Sequence, residues 1–262
     1  MGERPDRLRQ LITTARADKR LDWFLDLDGT LVEIALRPEA IVFPRDLCGI
    51  LRALHRPPLS FVSIVSGRSL PQLQSLFHRE AIILAGNHGL EVAGQGISFV
   101  HPGAEKASCH LESLADDLRR ALAGVPGLIL ENKQFTLTVH YRLVPVPERG
   151  KVARTVEKAA AFHPFLVHRA KESLEIIPRL DWGKGDAVRL ILEHTRGPRW
   201  EETTVPVCIG DDRTDEDAFG FLRRAGRGVT VRVGPRRADT KAEFRLENPA
   251  DVREFLRSFV PS

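Results

Sequence analysis

Short apolar runs recur along the chain, and most of them end in a polar loop that contains glycine or aspartate. These runs predict strands around residues 22–25, 61–65, 81–84, 205–209, 229–233 and 242–246. Between them, apolar residues spaced i, i+3, i+4 and i+7 predict amphipathic helices, as over residues 47–54 behind Pro44. Strands that alternate with helices are typical of α/β proteins. The pattern therefore predicts a doubly wound, Rossmann-like parallel sheet.

The pattern changes in the middle of the chain. A long amphipathic helix is predicted around residues 111–122, and from Leu128 to Arg142 the apolar period becomes two. A further helix and two short strands are predicted after it, around residues 152–159, 165–168 and 173–177. We therefore predict that residues 105–181 form an inserted α+β cap domain, with helices on one face of a sheet. The core domain would then consist of residues 1–104 and 182–262.

The first strand runs directly into two carboxylates. Residues 22–31 read D-W-F-L-D-L-D-G-T-L, and Gly29 marks the place where the chain turns out of the sheet. Asp26 and Asp28 stand at i and i+2 at the carboxyl end of the strand, where ligands bind in open α/β sheets. Two carboxylates this close repel each other unless a cation or a shared proton intervenes. By itself the segment fits a catalytic site and a solvated Asp-Gly turn equally well.

Other polar groups occupy strand ends or loops later in the chain: Ser66, Lys184, Asp211, Asp212 and Asp215. Carboxyl ends of parallel strands share one edge of a sheet, so we expect these groups to converge on the first two carboxylates. Carboxylates without His or Cys suit a hard cation such as Mg²⁺, and with a lysine and a hydroxyl they form a phosphoryl-transfer site. Each group also has an ordinary explanation, namely a helix start, a solvated lysine or an acidic first helical turn. Their joint occurrence favours the phosphoryl-transfer site.

Composition limits the classes of protein to consider. The chain of 262 residues is 42% hydrophobic, and no stretch approaches the roughly 20 apolar residues of a membrane span. The net charge of +4 comes without a run of Lys and Arg interleaved with aromatic residues. We therefore expect a globular protein that binds neither membrane nor nucleic acid. We also expect a monomer or weak oligomer. This small net charge is compatible with a local basic site that binds an anionic small molecule.

The first residues and the cysteines indicate the compartment. Residues 1–20 are charged, carry apolar residues at helical spacing and lack the apolar core of a signal peptide. We expect an N-terminal surface helix there and a cytoplasmic protein. Cys48, Cys109 and Cys208 are far apart and odd in number, which predicts free, buried thiols in a reducing compartment.

Four motifs taken together resemble those of the haloacid dehalogenase (HAD) superfamily of phosphatases. In chain order they are D-L-D-G-T-L, S-G-R, G-K-G and G-D-D-x-T-D-E-D-x-F. The fuller wording G-N-H-G-L-E, E-N-K-x-F-T-L-T-V-H-Y-R and G-D-D-R-T-D-E-D-A-F is similar to that of the trehalose-6-phosphate phosphatase family. The resemblance runs from about Asp22 to the C-terminal helix. It implies a HAD-like core with an inserted cap, and hydrolysis of a sugar phosphate, trehalose 6-phosphate.

The resemblance also implies a role for each polar group of the core. Asp26 would be the nucleophile that forms an aspartyl-phosphate. Asp28 would protonate the leaving sugar oxygen and then take a proton from the hydrolytic water. Ser66 and Lys184 would bind the phosphoryl oxygens as charge spreads over them.

A Mg²⁺ ion is implied as the cofactor. By resemblance, Asp26, the backbone carbonyl of Asp28 and Asp211 would hold it, while Asp212 or Asp215 would orient its waters. Hydrolysis of phosphate monoesters is very slow without a catalyst, so a cover that excludes water is expected over such a site. The inserted segment is the natural cover.

The cap sheet has one face that pattern assigns to packing and one that it leaves open. The packing face would comprise Phe135, Leu137, Val139, Leu174 and Ile176. His140, Arg142 and Glu175 then point to the open face. We also count His140 among the substrate-binding candidates, together with Arg68 and His88 from the polar strand-end loops of the core.

Family resemblance places glucose recognition on Glu131, Lys133 and Glu175. By pattern alone, Glu131 and Lys133 fit an ordinary polar hairpin turn, and His140 fits a partly buried histidine. The chain departs from the family at one position: Ile177 stands where a basic residue usually lies between the cap glutamate and the following proline. A polar contact to the sugar is therefore in doubt.

Three functions follow from this reading. The first is hydrolysis of trehalose 6-phosphate, and the second is hydrolysis of another sugar phosphate or of a phosphoglycerate glycoside. The third is a catalytically silent binding or regulatory domain on the same fold. The presence of Asp26, Asp28, Lys184 and Asp211 together disfavours the silent domain.

Overall fold

The apolar runs form an eight-stranded and a four-stranded sheet in this computed structural model, which describes residues 5–15, 19–35, 37, 40–170 and 172–260. In chain order the strands are β1 (Arg20–Leu25), β2 (Ser60–Val65), β3 (Ile83–Gly86), β4 (Glu91–Gly94), β5 (Ile97–Val100), β6 (Ile129–Asn132), β7 (Leu137–His140), β8 (Phe165–Ala170), β9 (Ser173–Pro178), β10 (Thr204–Gly210), β11 (Val229–Val233) and β12 (Phe244–Leu246). The helices are α1 (Pro5–Ala15), α2 (Leu47–Leu54), α3 (Leu70–Leu76), α4 (Pro102–Ala121), α5 (Val146–Ala160), α6 (Lys184–Arg196), α7 (Trp200–Thr203), α8 (Asp215–Ala225) and α9 (Pro249–Arg257). None of the helices in the described ranges has the length and apolar character needed to cross a membrane.

The large sheet has the strand order β12-β11-β10-β1-β2-β3-β4-β5. Strands β12 to β3 pair in parallel, and β4 runs antiparallel to β3. From β1 the chain moves outward on one side through β2 and β3, and it later returns to β10 on the other side of β1. The boundary between β1 and β10 is therefore the switch point of the sheet, beside which ligands bind in open α/β folds. The predicted doubly wound architecture is confirmed.

Strand β1 lies in the middle of this sheet and has apolar side chains on both faces. Trp23 and Leu25 belong to one buried cluster, which includes the apolar faces of α1, α2 and α9. Phe24 belongs to the other, with residues of α6 and α8. Phe255 and Phe259 of α9 meet the Trp23 ring edge-on, with centroids 6.4 and 5.2 Å away. Because helices pack on both faces of the sheet, side chains on both sides of β1 are buried. This explains why its sequence is an uninterrupted apolar run.

The chain divides into two compact units, one made of Met1–Phe99 with Trp182–Ser262 and the other of Val100–Asp181. The second unit holds a sheet of order β6-β7-β9-β8, in which every neighbouring pair is antiparallel. Its buried cluster joins the apolar faces of α4 and α5 to Leu137, Val139, Leu174 and Ile176. Phe135, which the pattern assigned to the packing face, precedes the start of β7; it is buried but lies outside this cluster. The sequence pattern placed the start of this unit at residue 105.

The N-terminal helix is shorter than the predicted span of residues 1–20. Helix α1 is Pro5–Ala15, and Arg20 already belongs to β1; residues 1–4 and 16–18 lie outside the described part of the chain. Leu8 and Ile12 are buried in the core, whereas Leu11 is 41% exposed. The helix thus packs on the sheet by a narrow apolar stripe.

Two features of the fold differ from the sequence prediction. The short helix α7 was not predicted; it buries Trp200, which the pattern left unassigned. The three cysteines are free, but only Cys208 is buried: Cys48 is half-buried and Cys109 is exposed. The prediction of buried thiols was wrong for Cys109, because the buried face of α4 is formed by residues such as Leu111 and Leu114, on another side of the helix.

Candidate active site

Two aspartates meet where the paired strands β1 and β10 end. Asp26 follows β1 directly and Asp211 follows β10, and both side chains are buried. Gly29 makes this approach feasible: its φ is +89°, and a Cβ there would lie 2.4 Å from Oδ2 of Asp211. Only glycine combines that backbone conformation with that lack of volume. The turn predicted at Gly29 therefore brings two strand ends together.

Lys184, at the start of α6, connects two of the carboxylates. Its Nζ donates to Oδ1 of Asp26 at 2.8 Å and to Oδ1 of Asp215 at 2.7 Å. The lysine side chain is 2% exposed and the two carboxylates are also buried. A buried ammonium of this kind needs closely aligned acceptors that replace the water it has lost, and the two carboxylates supply them. The three residues come from three separate chain segments, which the sheet edge collects as expected.

Carboxylate charge exceeds cationic charge in this cluster. One oxygen each from Asp26, Asp211 and Asp215 lie within 4.8 Å of one another. Asp212 adds a fourth carboxylate in the same loop, and Lys184 is the ammonium that bonds two of the four. Buried charges require compensation, and clustered carboxylate oxygens are the ligands that Mg²⁺ prefers. The residues present therefore fit a divalent cation.

The pKa values of the buried groups also reflect the excess of carboxylate charge over cationic charge. The pKa of Asp26 is raised to about 7: burial is the largest cause, Lys184 opposes it, and Asp211 and Asp212 add to it. Burial also raises the pKa of Asp215 well above its usual range despite the lysine. Burial lowers the pKa of Lys184, but Asp215 and Asp26 more than offset this and hold it well above the ordinary value. The lysine thus stays charged, and the carboxylates share too little positive charge.

The acidic loop after β10 is held by its own hydrogen bonds. Oδ1 of Asp212 accepts from the backbone N–H of Thr214 at 2.8 Å and from its hydroxyl at 2.7 Å. Arg232 of β11 donates to the backbone carbonyl of Asp211 at 2.6 Å and to Glu216 at 2.8 Å. The pKa of Asp212 is held below its usual range: burial raises it, but the Lys184 charge and the Thr214 hydrogen bond lower it more.

Sequence reasoning missed Arg232, although it orients the loop that carries three of the aspartates. An arginine inside an otherwise apolar strand was the available signal, since Arg232 is 5% exposed. Thr30 was also missed; it is fully buried, and its hydroxyl lies 3.5 Å from Oδ1 of Asp211.

Asp28 is on the more open side of the site and is paired with Arg68. The guanidinium donates from Nε to Oδ2 at 2.7 Å and from Nη2 to Oδ1 at 2.8 Å. Such a two-point contact fixes the plane of the carboxylate. Ser66 stands beside this pair, and its hydroxyl accepts from the backbone N–H of Arg68 at 3.2 Å. Arg68, predicted as a substrate ligand, thus contacts Asp28.

The loop after β3 is tied to the same segment. The backbone N–H of His88 donates to the carbonyl of Ser66 at 2.9 Å, and that of Asn87 to the carbonyl of Arg68 at 2.7 Å. His88 has φ +59° and lies against Gly67, where a Cβ would sit 2.7 Å from its ring. Glu91, which sequence reasoning did not single out, accepts from the Asn87 side chain at 2.5 Å. The structure therefore groups His88 with Ser66 and Arg68.

The remaining candidates belong to the second unit. Glu131, Thr138, Glu175 and His168 are register neighbours across β6, β7, β9 and β8, so they form one polar row on the same face.

Contacts tie Glu131 to two basic groups. Nε2 of His140 lies 2.9 Å from Oε2 of Glu131, and Nζ of Lys133 lies 3.9 Å from the same oxygen. Ile177 pairs with Leu166, so the position beside Glu175 on this face is apolar. The structure brings Glu131, Lys133 and His140 together and places Glu175 two strands away. His168, which sequence reasoning missed, is the cross-strand neighbour of Glu175.

A family model and curated relatives both match this chain over most of its length. The family described as Trehalose-phosphatase matches residues 24–250. The chain is 32% identical over 267 residues to "Probable trehalose-phosphate phosphatase 3" of Oryza sativa subsp. japonica, covering 95% of this chain and 72% of the relative. It is 36% identical over 264 residues to the "Trehalose-phosphate phosphatase" of Mycobacterium ulcerans, covering 97% and 65%.

Solved structures resemble the fold as well. The structure of the C. albicans trehalose-6-phosphate phosphatase C-terminal domain superposes with a TM-score of 0.81 and 26% identity, covering 95% of this chain and 94% of that one. The C-terminal domain of a Candida albicans trehalose synthase regulatory protein superposes with a TM-score of 0.71 and 16% identity, covering 98% of each chain. The second likeness concerns the fold alone.

Proposed function

Because the chain belongs to the trehalose-phosphatase family, we propose that it hydrolyses trehalose 6-phosphate to trehalose and inorganic phosphate. The comparisons confirm the HAD-like fold and the phosphoric monoester hydrolase class expected from the sequence. One observation supports the assignment of the chemistry: the Lys184 ammonium joins Asp26 to Asp215 beside Asp211, at the switch point of the sheet.

Asp26, Asp211 and Asp215 would hold Mg²⁺, with the backbone carbonyl of Asp28 as a further ligand and Asp212 orienting bound waters. When bound, the ion supplies charge neutralisation and polarises a phosphoryl oxygen. The excess of buried carboxylate charge over cationic charge supports this assignment.

In the first half of the reaction, Asp26 attacks phosphorus. A bond forms between its carboxylate oxygen and phosphorus, and the bond from phosphorus to the sugar oxygen breaks. The electron pair stays on the sugar oxygen, which takes a proton from the Asp28 carboxyl group. Trehalose leaves, and the phosphoryl group remains on Asp26 as an aspartyl-phosphate.

In the second half, water attacks the phosphorus of the aspartyl-phosphate. Asp28, now a carboxylate, takes the proton from that water, and the bond between phosphorus and Asp26 breaks. Ser66 and Lys184 would bind the phosphoryl oxygens in both halves. We assign Arg68 to positioning Asp28, since the guanidinium contacts both carboxylate oxygens.

We propose that the polar face of the second unit recognises the sugar. Glu131, Lys133 and Glu175 would bind hydroxyl groups of the disaccharide, and His140 would orient Glu131 through the 2.9 Å contact between them. His88 stays a candidate ligand of the substrate near the phosphoryl group.

The fold alone does not separate an enzyme from a silent domain. A domain of a regulatory protein superposes well on this chain at 16% identity. The distinction must come from the residues, and Asp26, Asp28, Lys184 and Asp211 are all present here.

Phosphate release from a panel of sugar phosphates tests the function. We expect release from trehalose 6-phosphate in preference to glucose 6-phosphate, loss of activity with a chelator, and recovery with Mg²⁺. Ca²⁺ should restore little, because its bonds are longer and its coordination is looser. Asp26→Asn protein prepared in parallel controls for contaminating phosphatases. Undiminished release after thorough chelation would rule out the metal assignment, and no release from any substrate would favour the silent domain.

We further propose a cytoplasmic location and a monomeric or weakly associating state. The free cysteines support a reducing compartment. Cell fractionation and sedimentation of the purified chain test the two statements.

A further inference from the structure

A cavity of about 540 Å³ opens at the amino ends of the strands in the first unit. It is lined by residues at the starts of β1 and β2, by the segment that precedes β10 and by Phe259 after α9. Asp26 and the catalytic candidates lie at the opposite, carboxyl ends of the same strands. At about 3.3 Å per residue, the length of β1 separates the two places by roughly 15–20 Å. The cavity is therefore distinct from the proposed active site.

Positive charge predominates around this cavity. Lys19, Arg20 and Arg56 contribute three cations to its lining, against one carboxylate, Glu202. Within the described ranges no ion pair joins Lys19, Arg20 or Arg56 to an acidic residue. Lys19 makes a long contact, 3.5 Å, to the backbone carbonyl of Glu201. A concave surface with uncompensated cations attracts anions.

Two lining residues also carry polar atoms without a hydrogen-bond partner among the described residues. These atoms are Nε of Arg56 and Oγ of Ser60, and both are buried. The two residues are held rigidly, because the backbone N–H of each donates to the carbonyl of the other, at 2.9 and 3.0 Å. Buried polar groups normally have partners, so this wall of the cavity carries hydrogen-bonding capacity that the described residues leave unsatisfied.

The rest of the lining is apolar. Leu59, between Arg56 and Ser60, is 64% exposed, and Leu54 and Phe259 are buried beside it. We propose that the cavity binds a small organic anion, in which a phosphate, sulfonate or carboxylate group meets Arg56, Lys19 and Arg20, and an apolar body covers Leu59. No residue of the proposed mechanism takes part in this site.

Two matched probes test the site on the full chain. The anionic probe is 8-anilinonaphthalene-1-sulfonate, and the neutral one is N-phenyl-1-naphthylamine, which has the same ring system without the sulfonate. Fluorescence titration should show saturable binding of the anionic probe, at least 10-fold tighter than that of the neutral probe.

Arg56→Gln should weaken binding of the anionic probe about 5-fold or more, and Ser60→Ala should weaken it about 2-fold or more. Arg79→Gln, which removes an exposed guanidinium elsewhere in the same unit, should leave the affinity unchanged.

Phosphate release and the melting temperature of each variant confirm that it is folded, since none of these residues belongs to the proposed active site. Equal affinity for the two probes would mean that the cavity is merely apolar and would overturn the proposal. Unchanged binding of the anionic probe to Arg56→Gln and to Ser60→Ala would place the probe elsewhere and would overturn it too. If Arg56→Gln alone fails to fold, the Ser60→Ala result decides.

Discussion

Asp26 is a charged group in a place that disfavours its charge. Burial, Asp211 and Asp212 act against ionisation, and the charge and the hydrogen bond of Lys184 oppose them. A nucleophile must be ionised, so the protein depends on additional positive charge to use this carboxylate. The same imbalance means that the proposed nucleophilic role of Asp26 comes at a cost in stability.

We expect Asp26→Asn to abolish turnover and, in metal-free buffer at pH 7, to raise the melting temperature. The carboxamide cannot attack phosphorus, and it removes a buried charge whose pKa is raised to about 7. Because the pKa of Asp26 in the folded state exceeds its ordinary value of 3.8, the wild type loses relative stability as the pH rises from about 4 to about 7. The gap in melting temperature should therefore widen over that range and narrow when Mg²⁺ is added. A variant that is less stable than the wild type at every pH would contradict this account.

Arg68 offers a second test at a single residue. Arg68→Lys keeps the positive charge but cannot make the two-point contact that orients Asp28. We expect kcat to fall about 10-fold or more with little change in KM, because general acid–base catalysis contributes ~10²–10⁴-fold and depends on geometry. A raised KM with unchanged kcat would instead make Arg68 a ligand of the substrate, as the sequence pattern proposed. Steady-state kinetics on trehalose 6-phosphate separates the two outcomes.

The short turn after β1 helps to position the carboxylates of the candidate active site. Gly29 lets Asp211 approach the first strand, and its φ of +89° excludes side chains even before volume is considered. The loop after β10 is then fixed from the other side by Arg232. Together the two segments determine where the carboxylates stand.

We expect Gly29→Ala to lower phosphate release by about 10²-fold or more and to lower the melting temperature, since the new Cβ would strike Asp211. The matched control is Gly49→Ala in α2, where a Cβ meets no atom within 4 Å. Alanine in a helix is favoured over glycine by roughly 0.5–1 kcal/mol, so the control should melt slightly higher with unchanged activity. Thermal unfolding and phosphate release are measured for both variants. Full activity in Gly29→Ala would show that the close approach is unnecessary.

Most elements could be predicted because their signals are local. Apolar runs covered on both faces identified the central strands, and a local pair marks the start of α3, where the backbone N–H of Ser69 donates to Oε1 of Gln72 at 2.9 Å. The joint position of the strand ends also followed from topology, which is why Asp26, Asp211 and Lys184 could be grouped beforehand.

What sequence could not supply was the partner of each polar group. Arg232 reaches the acidic loop across a strand pairing whose register no local pattern determines. Arg68 could have faced substrate or Asp28, since both carry negative charge, and only the folded structure shows that it contacts Asp28. His168 becomes a neighbour of Glu175 through the pairing of β8 with β9. Exposure of Cys109 likewise depends on which side of α4 packs.

At the scale of the whole molecule, the two units carry different parts of the proposed function. The first holds the phosphoryl chemistry, and the second presents the polar row that includes Glu131 and Glu175. In the proposed mechanism, the phosphoryl-binding groups of the first unit would contact only the phosphoryl group, which all candidate substrates share. Discrimination among sugars must therefore come from groups that bond their hydroxyls, because such groups are left unpaired by analogues that lack them.

We expect Glu131→Ala and Glu175→Ala to lower kcat/KM for trehalose 6-phosphate about 10²-fold or more, equivalent to about 3 kcal/mol. Both should affect p-nitrophenyl phosphate much less, since it has no sugar to bind. Glu112→Ala, which removes an exposed carboxylate from α4 in the same unit, is the matched control and should change neither substrate. Equal losses on both substrates would mean that the two glutamates support the fold of the unit, and sugar recognition would have to be sought elsewhere. A loss confined to Glu131→Ala would narrow recognition to the cluster of Glu131, Lys133 and His140, where the carboxylate already has two basic neighbours.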